Sequence, residues 1–285
     1  MQRAARDSST LPIYIFWQQG LENCPRIVQR CIESWRYFNE DRREVVLLDG
    51  DAALALASPE TRAYAGRLGV AHFSDLLRLD LLEHSGGIWC DATLFCTMPL
   101  EQWLPSLSRC HFFAFSRPSK DKLIANWFLG AGEHSYIISA LRSSLLAYWS
   151  DIHSGPRHLS FLSGFLDRHA RRGVRESQLW LSPLVRTRLR QYPYFIFHYL
   201  FNHLYLSDGS FRDAWDRVPC FSAQGPHAMQ SNRQFFRPLP PDFAIDQSPV
   251  YKLTYKYNQK YVYPGSAIHF FLESDEAFGA GGRRA

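Results

Sequence analysis

AHFSDLLRLDLLEHSGGIWCDATLFC, residues 71–96, is the stretch of sequence that decides the fold. Its leucines recur at helical spacing, which predicts a helix over 70–84, and the Ser-Gly-Gly at 85–87 ends that helix. The apolar run that follows at once predicts a strand over 88–97. The short connection should bring the end of the helix back beside this strand. It should also place Asp91 near the carboxyl end of the strand, where open α/β sheets bind their ligands.

The chain on either side of this stretch supplies the other parts of an α/β sheet. A strand at 12–17, a helix at 25–38 and a strand at 44–48 make the strand–helix–strand opening of a nucleotide-binding fold. The further predicted helices lie at 52–68, 136–149, 159–171 and within 177–216, and the further strands at 111–115 and 126–129. We therefore predict the α/β class, with a Rossmann-like mixed sheet flanked by helices and a helical, irregular C-terminal part.

Composition excludes several classes of protein. The net charge of +5, from 32 basic and 27 acidic residues, is too small to indicate nucleic-acid binding. It suits an anionic partner such as a nucleotide diphosphate or, more loosely, anionic lipid. The six cysteines form no CxxC pair, which excludes a zinc cluster and a thiol redox motif. No GxGxxG follows the first strand, which excludes a dinucleotide oxidoreductase.

The sequence also predicts domain organisation and location. No linker or internal repeat divides it, so we predict a single domain over 1–285 with disordered tails at 1–10 and 279–285. The first ten residues lack the apolar segment of a signal peptide, which together with the cysteine pattern excludes a secreted lectin. No apolar run is long enough to cross a bilayer. We predict a cytoplasmic protein whose membrane contact is at most peripheral, at the inner face.

Acidic residues supply the candidates for chemistry. Asp75 and Arg78 lie three residues apart and share one face of the helix, either as part of a site or as a surface ion pair. Asp91 lies in an apolar run, where burying an acid without a partner is costly, so we favour a functional role over a turn cap. The one literal DxD, at 49–51, follows a strand. We interpret it as a turn, because Asp-Gly at a strand end is first of all a turn.

The order of these residues resembles the pattern of a known family, S-D-x-x-R-x-x-x-L-x-x-x-G-G-x-x-x-D-x-D. The matching residues are Ser74, Asp75, Arg78, Leu82, Gly86, Gly87 and Asp91. The chain therefore resembles the capsular polysaccharide synthesis proteins and, more distantly, the glycosyltransferases with a DXD sugar-binding region, which include the Golgi initiating mannosyltransferases. The segments IFWQQGLENCPRIVQRCIESWR, ANWFLGAG, YFIFHYLF and SPVYKLTYK extend the likeness over most of the chain. The departure is Thr93, which stands where the pattern has its last Asp.

The resemblance implies a GT-A-type glycosyltransferase that moves a sugar, with retention of configuration, from a nucleotide-diphosphate donor to a capsular or related glycan, free or lipid-linked. It also implies a divalent ion, Mn²⁺ or Mg²⁺, that offsets negative charge on the departing diphosphate. Asp75 and Arg78 suit sugar hydroxyls in such a site, and Asp91 suits ribose hydroxyls or the shell of the ion. Because Thr93 carries no charge, we predict an ion held mainly by the donor diphosphate, with Asp91, Thr93 and His269 as its protein ligands.

The remaining candidates are assigned by their place in this architecture. The nucleotide base is expected against Trp17, Gln18 and Gln19, which follow the first strand, unless Trp17 is simply a core residue. The diphosphate is expected against Lys252 and Lys256, unless both are merely solvated lysines. Other assigned positions are Gly86 and Gly87 on the donor side, and Asn126 and His198 on the acceptor side. Thr93 also leaves open a second function, that of a catalytically silent nucleotide-sugar- or glycan-binding protein on the same fold.

Overall fold

The computed structural model describes residues 11–107, 111–152 and 160–278. The helices and strands follow one another in the order β1 (Ile13–Phe16), α1 (Arg26–Asn39), β2 (Val45–Leu48), α2 (Gly50–Leu56), α3 (Pro59–Arg62), α4 (Val70–Ser85), β3 (Gly87–Asp91), β4 (Leu94–Cys96), β5 (Phe112–Ser119), β6 (Lys122–Ala131), α5 (Tyr136–Ser150), α6 (Ser160–Ala170), α7 (Ile196–Ser207), α8 (Gly209–Asp216), β7 (Val250–Lys252) and α9 (Ala267–Glu273). Both predicted tails lie outside the described residues.

The strands form two sheets. One has five strands in the order β2-β1-β3-β6-β5, and the other pairs β4 with β7. β1 and β2 are parallel, with Ile13 opposite Val45, whereas β5 and β6 are antiparallel, with Phe112 opposite Ala131. The predicted α/β class, with a mixed sheet flanked by helices, is confirmed.

The chain divides into two compact units. The first unit comprises Met1–Ala52, Trp89–Pro105 and Ala223–Ala285, and the second comprises Ala53–Ile88 and Ser106–Ser222. The single domain expected from the sequence stays a prediction. No helix in the described part of the chain is both long and apolar enough to span a membrane.

In the first unit, the predicted strand–helix–strand opening is confirmed as β1, α1 and β2. The buried side of α1 carries apolar residues at helical spacing, Ile27, Val28, Cys31, Ile32 and Trp35. The indole Nε1 of Trp35 donates to the carbonyl of Leu94 at 2.8 Å, which ties α1 to β4. This polar contact removes the cost of burying the indole N–H.

Two predicted elements are wrong in extent. The helix expected over 52–68 is divided into α2 and α3, because Pro59 has no N–H to continue the first helix. Ser58 instead caps α3, accepting a hydrogen bond from the backbone of Thr61 at 3.2 Å. The strand expected over 88–97 ends at Asp91, turns, and resumes as β4 in the other sheet.

In the second unit, α4 is buried on all sides over residues 73–82, so its charged side chains need partners. Asp80, 1% exposed, has Arg142 of α5 at 2.7 Å and accepts a hydrogen bond from the backbone N–H of Ser58 at 2.5 Å. Arg142 also reaches Glu83 at 3.0 Å. One carboxylate thus joins the start of α3 to α4 and α5.

Removal of Arg142 tests this junction. Arg142→Ala leaves the Asp80 carboxylate buried without its cation, and we expect the free energy of unfolding to fall by about 3–5 kcal/mol. The matched control is Arg42→Ala, because Arg42 is 62% exposed and its Glu101 partner lies 3.8 Å away. The control should lose less than about 1 kcal/mol. Urea denaturation of the three proteins measures both effects, and equal losses would contradict the assignment.

Candidate functional site

Asp91 is the last residue of β3, whereas the sequence predicted it within a strand that continues to residue 97. One carboxylate oxygen accepts a hydrogen bond from the indole Nε1 of Trp89 at 3.1 Å. The other accepts from the Lys252 ammonium at 2.7 Å. The side chains of Asp91 and Lys252 are 27% and 15% exposed, so this ion pair lies at the surface of the first unit, within reach of a ligand.

Backbone pairing brings Lys252 to this position. β7 runs antiparallel to β4, with Lys252 opposite Leu94, and the N–H of Leu253 donates to the carbonyl of Thr93 at 2.9 Å. The Lys252 ammonium then donates to the Thr93 hydroxyl at 3.0 Å as well as to Asp91. The two ends of the DxT sequence, 91–93, therefore hold one ammonium group.

The residues expected to hold the nucleotide base also lie in the first unit. Trp17 directly follows β1, and Gln18 and Gln19 behind it are exposed. The Trp17 ring meets the ring of Tyr255 edge-on, with 5.2 Å between centroids. Because Tyr255 follows Lys252 by three residues, one short segment contacts both the Asp91 carboxylate and the aromatic residue after β1. The base-binding role of these residues stays a prediction.

Burial controls the ionisation of the cysteine beside Asp91. Cys90 precedes Asp91 in β3 and is fully buried, and burial raises the pKa of its thiol well above the usual value. This thiol stays protonated at neutral pH and does not act as a nucleophile.

In the second unit, Asp75 and Arg78 form a buried ion pair. Their side chains are 7% and 5% exposed, and Arg78 Nη1 lies 3.2 Å from Asp75 Oδ1. The alternative of a surface ion pair is therefore wrong. Asn126 on β6 donates to the same carboxylate oxygen at 3.1 Å, which fixes Asp75 from a second element.

Arg78 links α4 to β6 and orients Asp75. Its Nη1 donates to the carbonyl of Asn126 at 2.7 Å, and its Nε and Nη2 donate to the carbonyl and hydroxyl of Ser74 at 3.1 and 2.8 Å. Asp75 Oδ2 lies 3.9 Å from His72 Nδ1. These contacts give Arg78 a positioning role. The catalytic roles assigned to Asp75 and Arg78 stay predictions.

Two other assigned positions lie in the same unit. His198 is buried on α7, with the rings of Phe195 and Phe197 at 5.7 and 5.8 Å. Gly86 ends α4 with φ +61°, and a Cβ there would lie 2.9 Å from the backbone nitrogen of Glu133. Close backbone approach and positive φ therefore explain this glycine without a ligand. The acceptor role of His198 and the donor role of Gly86 and Gly87 stay predictions.

The residues assigned to a divalent ion are a poor match for one. Asp91 and Thr93 already share the Lys252 ammonium. A divalent cation bound between them would be repelled by this positive charge at close range. His269 lies in the first turn of α9, where its backbone N–H donates to the Ser266 cap at 3.3 Å. Within the residues that the structure covers, no three His, Cys, Asp or Glu side chains assemble as a metal-binding set. The donor set therefore does not fit a protein-held Mn²⁺ or Mg²⁺.

Sequence reasoning missed the pairing of Lys252 with Asp91 and the support that Ser74 and Asn126 give to the Arg78 pair. The segment SPVYKLTYK drew attention to Lys252, but its partner lies far away along the chain. The only available signal was that an acid in the apolar run around Asp91 needs a cation.

Comparison with known proteins gives three findings. Residues 2–162 and 185–270 match the profile of a family described as capsular polysaccharide synthesis protein. The glycosyltransferase afumC of Aspergillus fumigatus is 28% identical over 174 residues, which cover 53% of this chain and 42% of that protein. The chain thus matches less than half the length of this curated relative. Among solved structures, the PaToxG glycosyltransferase aligns at a TM-score of 0.40 and 13% identity, covering 79% of this chain and 84% of that one.

The buried pair in the second unit can be tested by a double-mutant cycle. Arg78→Ala leaves the Asp75 carboxylate without its cation, and we expect a loss of about 3–5 kcal/mol in the free energy of unfolding. Asp75→Asn combined with Arg78→Ala should lose less than the two single losses together, because the uncompensated charge is gone. Urea denaturation of the four proteins measures this, and additive losses would show that the two side chains do not act as a pair.

Proposed function

Because the chain belongs to the capsular polysaccharide synthesis protein family, we propose that it is a GT-A-type glycosyltransferase acting on a capsular or related surface glycan. The donor in this proposal is a sugar linked to a nucleoside diphosphate. The relationship to glycosyltransferases supports the reaction class. The observation that carries the proposal is the accessible Asp91–Lys252 pair at the end of β3, where α/β sheets bind nucleotides.

The proposed reaction exchanges one bond at the anomeric carbon. The bond from this carbon to the diphosphate oxygen breaks, and the nucleoside diphosphate leaves with the electron pair. An acceptor hydroxyl oxygen bonds to the carbon, and its proton passes to the departing phosphate. Retention of configuration, expected from the resemblance, requires the hydroxyl to arrive on the face from which the phosphate leaves.

The residues of the first unit suit the recognition of such a donor. A carboxylate such as Asp91 accepts hydrogen bonds from ribose or sugar hydroxyls, and charged acceptors make the stronger bonds. The Trp17 and Tyr255 rings suit stacking with the base, since every base has a flat face.

Asp91→Asn tests the donor site. The change keeps the shape of the side chain but removes the charge that holds Lys252, so we expect turnover to fall a hundredfold or more, about 3 kcal/mol. Asp51→Asn is the matched control, because Asp51 is an exposed acid in the first turn of α2. Hydrolysis of a panel of nucleotide sugars measures the rate. Wild-type turnover by Asp91→Asn would remove Asp91 from the reaction.

A catalytically silent binding protein is the second candidate function, and Thr93 favours it. This protein would bind a nucleotide sugar without cleaving it. A thermal-shift screen identifies a donor that binds, since a ligand at a hundred times its Kd adds about 2.7 kcal/mol of stability. Hydrolysis and transfer assays with that donor then distinguish the two functions. A stabilising donor that is neither hydrolysed nor transferred to any glycan acceptor would support the silent protein.

The acceptor in our proposal is a glycan carried on a membrane lipid, and α6 supports contact with the membrane surface. Leu166 packs into the core of the second unit. Phe161 and Phe165, one turn apart, are 85% and 52% exposed. Arg168 and Arg172 are exposed and continue the same helical spacing. Aromatic rings flanked by arginines suit the interface of an anionic bilayer.

Vesicle co-sedimentation tests this surface. The double variant Phe161→Ser, Phe165→Ser should bind vesicles containing phosphatidylserine about tenfold more weakly, because two phenyl groups no longer leave water. Leu56→Ser is the control, since Leu56 is an exposed apolar residue of α2. Wild-type binding should weaken on vesicles of phosphatidylcholine alone. Equal binding of the three proteins would exclude α6 as the contact.

A further inference from the structure

The Asp91–Lys252 pair indicates which cation binds the diphosphate of the donor. A DxD pair supplies two carboxylates, whose two negative charges match a divalent ion. In this chain the pair is reduced to one carboxylate, Asp91, and one hydroxyl, Thr93. The Asp91 carboxylate pairs with the Lys252 ammonium, which donates to both side chains at 2.7 and 3.0 Å. The number of charges and the contacts therefore agree with a resident lysine rather than with a metal.

We propose that the Lys252 ammonium is the cation of the donor site and that the protein binds and cleaves its donor without a divalent ion. This inference rests on the proposed function, since it concerns how that reaction handles charge. It replaces the ion that the family resemblance implies with a group that the chain itself supplies.

The ammonium is placed to take a phosphate oxygen. A lysine has three N–H donors, and two of those of Lys252 are directed at Asp91 and Thr93. Over the described ranges, Lys252 Nζ makes no further hydrogen bond, and its side chain is 15% exposed. The third donor is thus available to a ligand, while Asp91 and Thr93 hold the ammonium in place. Lysine is a common phosphate ligand in proteins.

The charge balance of the reaction fits this role. As the bond from the anomeric carbon to the phosphate oxygen breaks, the electron pair moves onto the diphosphate, which gains one negative charge. A fixed ammonium beside that oxygen stabilises the growing charge without giving up its proton. The cation required in the transition state is then supplied by β7.

Binding of nucleoside diphosphates in excess EDTA is the first test. Calorimetry with UDP, GDP, ADP and dTDP should find at least one that binds the wild-type protein equally well with EDTA and with Mn²⁺. Lys252→Met should weaken that binding about ten- to hundredfold, the usual effect of one charge-assisted hydrogen bond. Lys252→Arg should keep most of it, because it keeps a cation. Lys260→Met is the matched control, because Lys260 is exposed. This variant should bind the nucleotide as tightly as the wild-type protein does.

Exchanging the cation is the second test. The double variant Thr93→Asp, Lys252→Ala restores two carboxylates and removes the ammonium, so it should bind Mn²⁺ in a calorimetric titration in which the wild-type protein binds none. Its donor turnover should depend on Mn²⁺ and stop in EDTA, whereas wild-type turnover should continue in EDTA. Circular dichroism confirms that each variant is folded.

The outcomes separate this inference from the proposed function. Turnover or nucleotide binding by the wild-type protein that is lost in EDTA and restored by Mn²⁺ would overturn the resident-lysine proposal and leave the glycosyltransferase standing. Normal nucleotide binding by a folded Lys252→Met variant would do the same. Failure to bind any nucleoside diphosphate, with or without Mn²⁺, would overturn both.

Discussion

A charge that leaves water must be paired, and this constraint organises α4. The helix is buried on all sides over residues 73–82 and yet carries Asp75, Arg78 and Asp80 within that span. Asp75 and Arg78 neutralise one another, and Asp80 is neutralised by Arg142 from another helix. Since an unpaired buried charge costs several kcal/mol, α4 can be buried over residues 73–82 only with these partners in place.

The same constraint acts at the end of β3 but with a different outcome. Asp91 is paired with Lys252, and both side chains remain partly exposed. An ion pair that keeps contact with water contributes less to stability than a fully buried one, so the fold depends on it less. A ligand can therefore remodel it at a lower cost. Burial thus distinguishes a pair on which the fold depends strongly from one on which it depends less.

Local sequence signals predicted the elements that local forces determine. The leucine spacing and the Gly-Gly turn predicted a helix over 70–84, and α4 ends at Ser85. The apolar run after it predicted a strand from residue 88, where β3 lies. The partners could not be predicted in this way. Asp80 lies 62 residues from Arg142 and Asp91 lies 161 residues from Lys252, and only the folded topology brings such residues together.

The two errors in element boundaries have different causes. The break between α2 and α3 was readable, since Ser58-Pro59 is a helix start and an earlier helix cannot run through it. The break after Asp91 carries no glycine or proline. It follows from the pairing of β4 with β7, a segment near the other end of the chain. That pairing places Lys252 against both Asp91 and Thr93. The feature that interrupts the predicted strand is therefore also the one that creates the cation site.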